Sequence, residues 1–84
     1  MTTTKLNMVW ANRPDSRLAV AEIWVGREHL WITIFMDDRD RQLKIELLPP
    51  PGETVVYLVE LSAAERLIET AKRDLLTMAS QLGQ

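Results

Sequence analysis

The chain has 84 residues, which is enough for one domain, and its 46% hydrophobic and 26% charged residues are typical of an ordered globular protein. It has no cysteine, which excludes disulfides and cysteine-bound zinc and fits a reducing compartment, so we expect a cytoplasmic protein. The formal net charge is −2 with acids and bases interspersed, which argues against nucleic-acid binding, and the longest nearly apolar run, residues 30–36, is far too short to cross a membrane.

Residues 1–16 form a mixed N-terminal segment of this single small domain, residues 1–84. Leu6, Met8 and Trp10 alternate with their neighbours in a pattern weakly typical of a strand, until Pro14 interrupts it. The segment is predicted to be either an extra strand or an arm that reaches a second copy.

Four later segments have the composition or the alternation of β-strands: residues 17–25, 30–36, 42–48 and 54–60. The Pro-Pro-Pro-Gly run at 49–52 must end the third of them, because proline donates no ladder hydrogen bond. Between the first two, Gly26-Arg27 fits a two-residue type II′ turn, which would pair Ile23 with Leu30. These segments predict an antiparallel meander of three or four strands.

Residues 36–42, MDDRDRQ, are either a metal site or a turn. Three aspartates in four positions is a density that hard-cation sites use, but two arginines stand among them, and the glycine and distal glutamate of an EF-hand loop are missing. Aspartate also favours turns, because its side chain bonds nearby backbone N–H groups. We predict a turn, formed either by Asp38-Arg39 alone or by the four residues 38–41.

Residues 61–84 are predicted to form an amphipathic helix. Ser62 and Glu65 have the spacing of a capping box at its start, and Gly83 is placed to end it. One helical stripe is apolar and predicted to pack on the sheet: Ala64, Leu67, Ile68, Ala71, Leu75, Met78, Ala79 and Leu82. The fold class is therefore α+β, with the order β-β-β-β-α.

This order of strands followed by the helix AAERLIETAKRDLL resembles, in architecture and helix rhythm, the small antitoxins with a degraded RNase H-like sheet. The resemblance implies a protein partner that such a chain would inhibit. It carries over no functional residue.

The outer face of the predicted sheet, which the helix does not cover, is unusually apolar. Its predicted protein-interface residues, together with Trp10 of the N-terminal segment, are Leu18, Val20, Trp24, Trp31 and Phe35. Aromatic side chains in a row are not left exposed on a sheet face. The alternatives for what covers them are the N-terminal segment, another protein (most simply a second copy in a homodimer), and a bound ligand.

Few residues suggest chemistry. His29 is the sole histidine, beside a predicted turn, and is expected to be a solvated polar end. Glu22 and Glu46 are predicted on the outer face, where a carboxylate pair could serve a ligand site or an enzyme. We expect no catalytic residue, no cofactor and no metal ligand. The predicted function is a protein-interaction or assembly module that self-associates through the outer face, with an antitoxin-like or inhibitor role as the alternative and a ligand site or enzyme at Glu22 and Glu46 third.

Overall fold

The computed structural model describes residues 3–49, 52 and 56–82. In chain order, the elements are β1 (Leu6–Ala11), β2 (Val20–Val25), β3 (His29–Met36), β4 (Leu43–Leu47) and α1 (Leu61–Leu82). The strands form one antiparallel sheet in the order β1-β2-β3-β4, and α1 packs on one side of it. The α+β meander with a C-terminal helix is therefore confirmed.

The N-terminal segment supplies one of the four strands. The described part of residues 54–60 does not form a strand. β1 pairs along its whole length with β2, from Leu6 opposite Val25 to Ala11 opposite Val20. Residues 56–60 are not a strand, and residues 54 and 55 lie outside the described part. The amide of Thr4 donates to the carbonyl of Leu58 at 2.7 Å, so this segment contacts the chain just before β1.

The β2–β3 reversal differs from the predicted two-residue turn. Val25 pairs with His29, so the turn contains Gly26, Arg27 and Glu28, and Gly26 has the positive φ of 64° that a glycine adopts readily. A β-bulge follows, because the pairing passes from Trp24 opposite Leu30 to Ile23 opposite Ile32. The predicted pairing of Ile23 with Leu30 is therefore wrong, and Trp31 has no partner on β2.

The β3–β4 reversal is the four-residue alternative. Asp37 donates its amide to the carbonyl of Gln42 at 2.9 Å, and the four residues 38–41 lie between them. This loop pairs Ile34 with Ile45. MDDRDRQ is a turn, as predicted.

A buried cluster joins the sheet to the helix. It comprises Ala21, Ile23, Ile32 and Ile34 from the sheet and Ala71 and Leu75 from α1. Leu67, Ile68 and Met78 of the predicted apolar stripe pack against it, which confirms the face that the helix buries.

The helix begins two residues earlier than the predicted capping box requires. The carbonyl of Glu60 accepts the amide of Ala64 at 3.1 Å, and Leu61 is the first helical residue. Ser62 is therefore inside the first turn, where its backbone is already helical, and it does not cap the helix. Gly83, the predicted helix end, lies outside the described residues.

Candidate functional site

The six predicted interface residues do not form one patch. Trp24 and Phe35 are half-buried, and Val20 is only 1% exposed. Trp10 lies on the helix side of the sheet, because it pairs with Ala21 of the buried cluster and paired residues point to the same side. Leu6, Met8 and Trp10 are thus on the helix side of an edge strand and do not cover the outer face.

Leu18 and Trp31 were predicted on the outer face, and both pack instead against the buried cluster. Leu18 precedes the start of β2 at Val20, so the alternation of the strand does not extend to it. It lines a small cavity with Ala79 and Leu82 of the helix. For Trp31 the reason is the β-bulge, which breaks the strict alternation of side chains at that point of β3.

Arg13, from the β1–β2 connection, lies across the outer face. Its guanidinium donates to Thr33 Oγ1 at 3.3 Å and stands 3.6 Å from Glu46 Oε1. Thr33 is fully buried. The chain therefore provides part of its own cover on this face, and it does so with a charged residue that the sequence did not single out.

Glu22 and Glu46 are on the outer face, as predicted, on the two strands that flank β3. Both are opposite Thr33 of the intervening strand, so two strand spacings, roughly 10 Å, separate them. Glu22 accepts a hydrogen bond from the indole of Trp24 at 3.3 Å, and Glu46 has Arg13 as its neighbour. Each carboxylate has a different local partner.

An open cleft of about 490 Å³ runs along the outer face beside the β3–β4 loop. Asp37 lies on its wall with only 7% exposure and is held by two cations: Lys44 Nζ at 2.7 Å and Arg39 Nε at 3.4 Å. Lys44 Nζ also stands 2.9 Å from Asp40. This charged cluster is made by the turn and the first half of β4.

The charge cluster shifts the protonation equilibria of its members. The hydrogen bond from Lys44, aided by those from the backbone and side chain of Arg39, holds the pKa of Asp37 well below its usual range. The bond from Lys44 also lowers the pKa of Asp40, and bonds to the two carboxylates raise the pKa of Lys44. All three groups are charged at neutral pH.

The three aspartates of residues 36–42 all accept backbone hydrogen bonds, two of them within the loop. Asp37 Oδ1 accepts the amide of Arg39 at 2.9 Å, and Asp40 Oδ1 accepts the amide of Gln42 at 3.1 Å. Asp38 Oδ2 accepts the amide of Arg17 at 3.1 Å. Among the residues that the structure describes, no group of three or more histidine, cysteine or acidic side chains is positioned to hold a metal ion.

His29 is buried, at 9% exposure, and is not the solvated polar end that was predicted. Its ring stacks on Tyr57, with centroids 5.4 Å apart and planes 11° from parallel. Its partner comes from the segment that follows β4, which the pattern around the β2–β3 turn cannot indicate. This contact gives His29 a packing role.

β4 presents apolar side chains that nothing in the described chain covers. Ile45 and Leu47 are on the helix side of the sheet, since they pair with Ile34 and Ile32 of the buried cluster, yet they are 49% and 68% exposed. Four strands at about 4.8 Å spacing are wider than one helix of about 10 Å, so one edge is left bare. The sequence predicts four strands but one helix, and this count was the signal that could have identified Ile45 and Leu47 as exposed residues.

The free edge of β4 has a defined set of backbone groups pointing away from the sheet. The bonds from Asp37 N to Gln42 O and from Leu48 N to Trp31 O (2.9 Å each) extend the β3–β4 register at its two ends. Because hydrogen-bonded pairs alternate along an antiparallel ladder, Lys44 and Glu46 direct their backbone groups to β3. Three residues direct theirs outward: Leu43, Ile45 and Leu47.

Within the described ranges, no helix has both the length and the apolar character that a membrane crossing requires. Comparison of the chain with family models, with curated proteins and with solved structures finds no match.

Proposed function

We propose that this chain is a protein-interaction module whose binding surface is the β4 edge. We define the β4 edge by the outward backbone groups of Leu43, Ile45 and Leu47 and by the exposed side chains of the last two. The observation that carries the proposal is the coincidence of these two features on one strand: an apolar pair at 49% and 68% exposure beside ladder groups that no described strand pairs with. Such an edge is a template for pairing with another chain.

Within β4 itself the usual protections of an edge strand are weak, since the proline run begins only at residue 49. Natural edges are guarded by charged side chains, prolines or bulges that prevent pairing. The one lysine of the strand, Lys44, is on the outer face, where Asp37 and Asp40 hold its ammonium group. It therefore does not guard the helix side, where Ile45 and Leu47 are exposed. This arrangement favours a strand that is kept available for a partner.

The outer face gives less support to a binding role. Arg13 crosses it, Val20 is buried, and the charged groups of its cleft satisfy one another. In the described residues no buried side-chain nitrogen or oxygen lacks a hydrogen-bond partner that a ligand could supply. For these reasons a ligand site or an enzyme at Glu22 and Glu46 is not favoured.

Site-specific photo-crosslinking tests the proposal. A benzophenone side chain placed at position 47 in the living host should form covalent adducts with a protein. The control is the same group at position 69, since Glu69 is exposed on α1 and is not part of the β4 edge. An adduct at 47 and none at 69 supports the proposal, whether its mass corresponds to two copies of the chain or to a foreign protein. Absence of adducts at 47 contradicts it.

The mass of the adduct also separates the two kinds of partner. A foreign protein would favour the antitoxin-like or inhibitor role, because such a chain acts on a different molecule. A second copy would favour an assembly module.

A further inference from the structure

We propose that the partner of the β4 edge is a second copy of this chain, paired antiparallel through β4 about a two-fold axis at Ile45. The two sheets would then join into one continuous sheet with both helices on the same side of it. This inference rests on the proposed function and goes beyond it by naming the partner and the register.

The backbone directions suit this pairing. In an antiparallel ladder, a residue on a two-fold axis can exchange both of its hydrogen bonds with its own copy only if its backbone groups point outward. Ile45 satisfies this condition, and so do Leu43 and Leu47, two residues to either side. The pairing would satisfy the outward backbone groups of all three of these residues.

The side chains are self-complementary in the same register. With Ile45 opposite its own copy, Lys44 stands opposite Glu46 of the partner subunit, and the reverse pair forms by symmetry. These are non-hydrogen-bonded positions, where side chains on facing strands come closest and opposite charges stabilise the pair. On the helix side, Leu43 stands opposite Leu47 of the partner subunit. Charged residues thus meet opposite charges and apolar residues meet apolar ones.

Neighbouring registers lack this match. A shift of one residue would place the charged outer-face side chains opposite the apolar helix-side ones. Centring the axis on Lys44 would set this lysine against its own copy and would place inward-pointing backbone groups on the axis. Centring it on Leu43 or Leu47 would leave part of the five-residue strand unpaired.

Both charged residues can make the new contacts while keeping their present ion pairs. The side chain of Glu46 is 51% exposed, and the ion pair that it makes within the described part of the chain, with Arg13, is long at 3.6 Å. The side chain of Lys44 is 41% exposed, and its ammonium has three donors for Asp37, Asp40 and one further carboxylate. The pairing therefore does not require the charge cluster to break.

Analytical ultracentrifugation of three proteins tests the proposal, over loading concentrations from about 5 µM to about 1 mM. The wild type should shift from monomer to dimer, and Ile45→Lys should stay monomeric with unchanged helical circular dichroism. Leu76→Lys is the matched control, because Leu76 is as exposed as Ile45 (47% against 49%) but is on the helix, and it should dimerise like the wild type. A wild type that is monomeric throughout, or an Ile45→Lys variant that still dimerises, overturns the proposal.

Single cysteines test the register directly, and they also apply if Ile45→Lys does not fold. The natural chain has no cysteine, so each variant has one thiol. In Ile45→Cys the two Cα atoms would be about 5.5 Å apart, within disulfide reach, whereas in Leu47→Cys they would be about 13 Å apart along the strands. Ile45→Cys should therefore oxidise to a covalent dimer at least tenfold faster.

Leu47 is the more exposed position, so random collisions would favour oxidation of the Leu47→Cys thiol. Faster oxidation of Ile45→Cys can therefore not be explained by exposure. Equal rates, or a faster Leu47→Cys, overturn the register. Failure of this inference is distinguishable from failure of the proposed function. A monomeric wild type that forms adducts with a foreign protein at position 47 contradicts the second copy but keeps the β4 edge as a binding surface.

Discussion

Asp37 closes the β3–β4 loop with both its backbone and its side chain. Its amide donates to Gln42, its carbonyl accepts the amide of Arg41 at 2.8 Å, and its carboxylate accepts from Arg39 and Lys44. The same carboxylate is nearly buried, so that it depends on these partners for the solvation that water no longer provides. The density of acids that suggested a cation site is explained by the hydrogen bonds of a turn.

The lowered pKa of Asp37 makes its contribution to stability depend on pH. A carboxylate whose pKa is depressed by folding stabilises the folded state above its unfolded value, about 4, and this stabilisation is lost as the pH falls through the lower folded value. Asp37→Asn should therefore lower the melting temperature at pH 7, and the deficit should shrink as the pH falls below 4.

Thermal unfolding at pH 7 and at pH 2 measures this difference. Asp38→Asn is the control, because Asp38 is exposed and accepts a single bond, from the amide of Arg17. A deficit for Asp37→Asn that is equally large at both pH values would show that the charge of this carboxylate does not stabilise the loop.

Arg41 has a φ of 62°, in the left-handed region where a residue with a Cβ is strained. Both Arg41→Gly and Arg41→Ala remove the arginine side chain. The glycine has no Cβ and so relieves the backbone strain, whereas the alanine retains the Cβ and the strain. Arg41→Gly should therefore be more stable than Arg41→Ala by about 1 kcal/mol. Urea denaturation of both variants measures the difference. The opposite order would mean that the loop does not hold residue 41 in this conformation.

At the scale of the elements, substitution of two adjacent leucines of α1 tests how the helix packs on the sheet. Leu75 is fully buried against the sheet, and Leu76 is 47% exposed. Leu75→Ala should cost about 2–5 kcal/mol because it leaves a cavity, whereas Leu76→Ala should change the free energy of unfolding by no more than about 0.5 kcal/mol. Chemical denaturation measures both, and similar losses would contradict the orientation of α1.

The sequence predicts the helix and the β3–β4 hairpin well because their signals are local. An apolar stripe fixes the buried face of α1, and the loop length fixes the pairing of Ile34 with Ile45. The identity of the remaining strand is not local. Residues 54–60 have the stronger strand composition, but Leu6–Ala11 takes the free edge of β2. Propensity does not indicate which edge is occupied.

The candidate site was predicted less well for a related reason. Alternation assigned Trp31 and Leu18 to the outer face, but a bulge and a late strand start redirect them. A bulge adds one residue without any marker in the composition around Gly26. The exposure of Ile45 and Leu47 is a property of the assembled sheet, since their own strand pattern matches that of buried residues.

At the scale of the molecule, one helix covers a sheet that is wider than itself. The helix covers the buried cluster on β2 and β3. Along β4, apolar side chains and outward backbone groups have no partner among the described residues. The uncovered part of the sheet is the feature that favours a binding partner. Pairing of β4 with a second copy would satisfy the outward backbone groups and would bury part of the exposed apolar surface.

Amide hydrogen exchange of β4, followed by NMR at several protein concentrations, tests this account most directly. The amides of Lys44 and Glu46 bond to β3 and should exchange slowly at every concentration, while the amide of Ile45 points outward. We predict that the Ile45 amide is protected at high concentration and that its exchange accelerates on dilution, at the concentration where the dimer dissociates. Fast exchange of Ile45 at all concentrations, or protection that dilution does not change, would contradict pairing through the β4 edge.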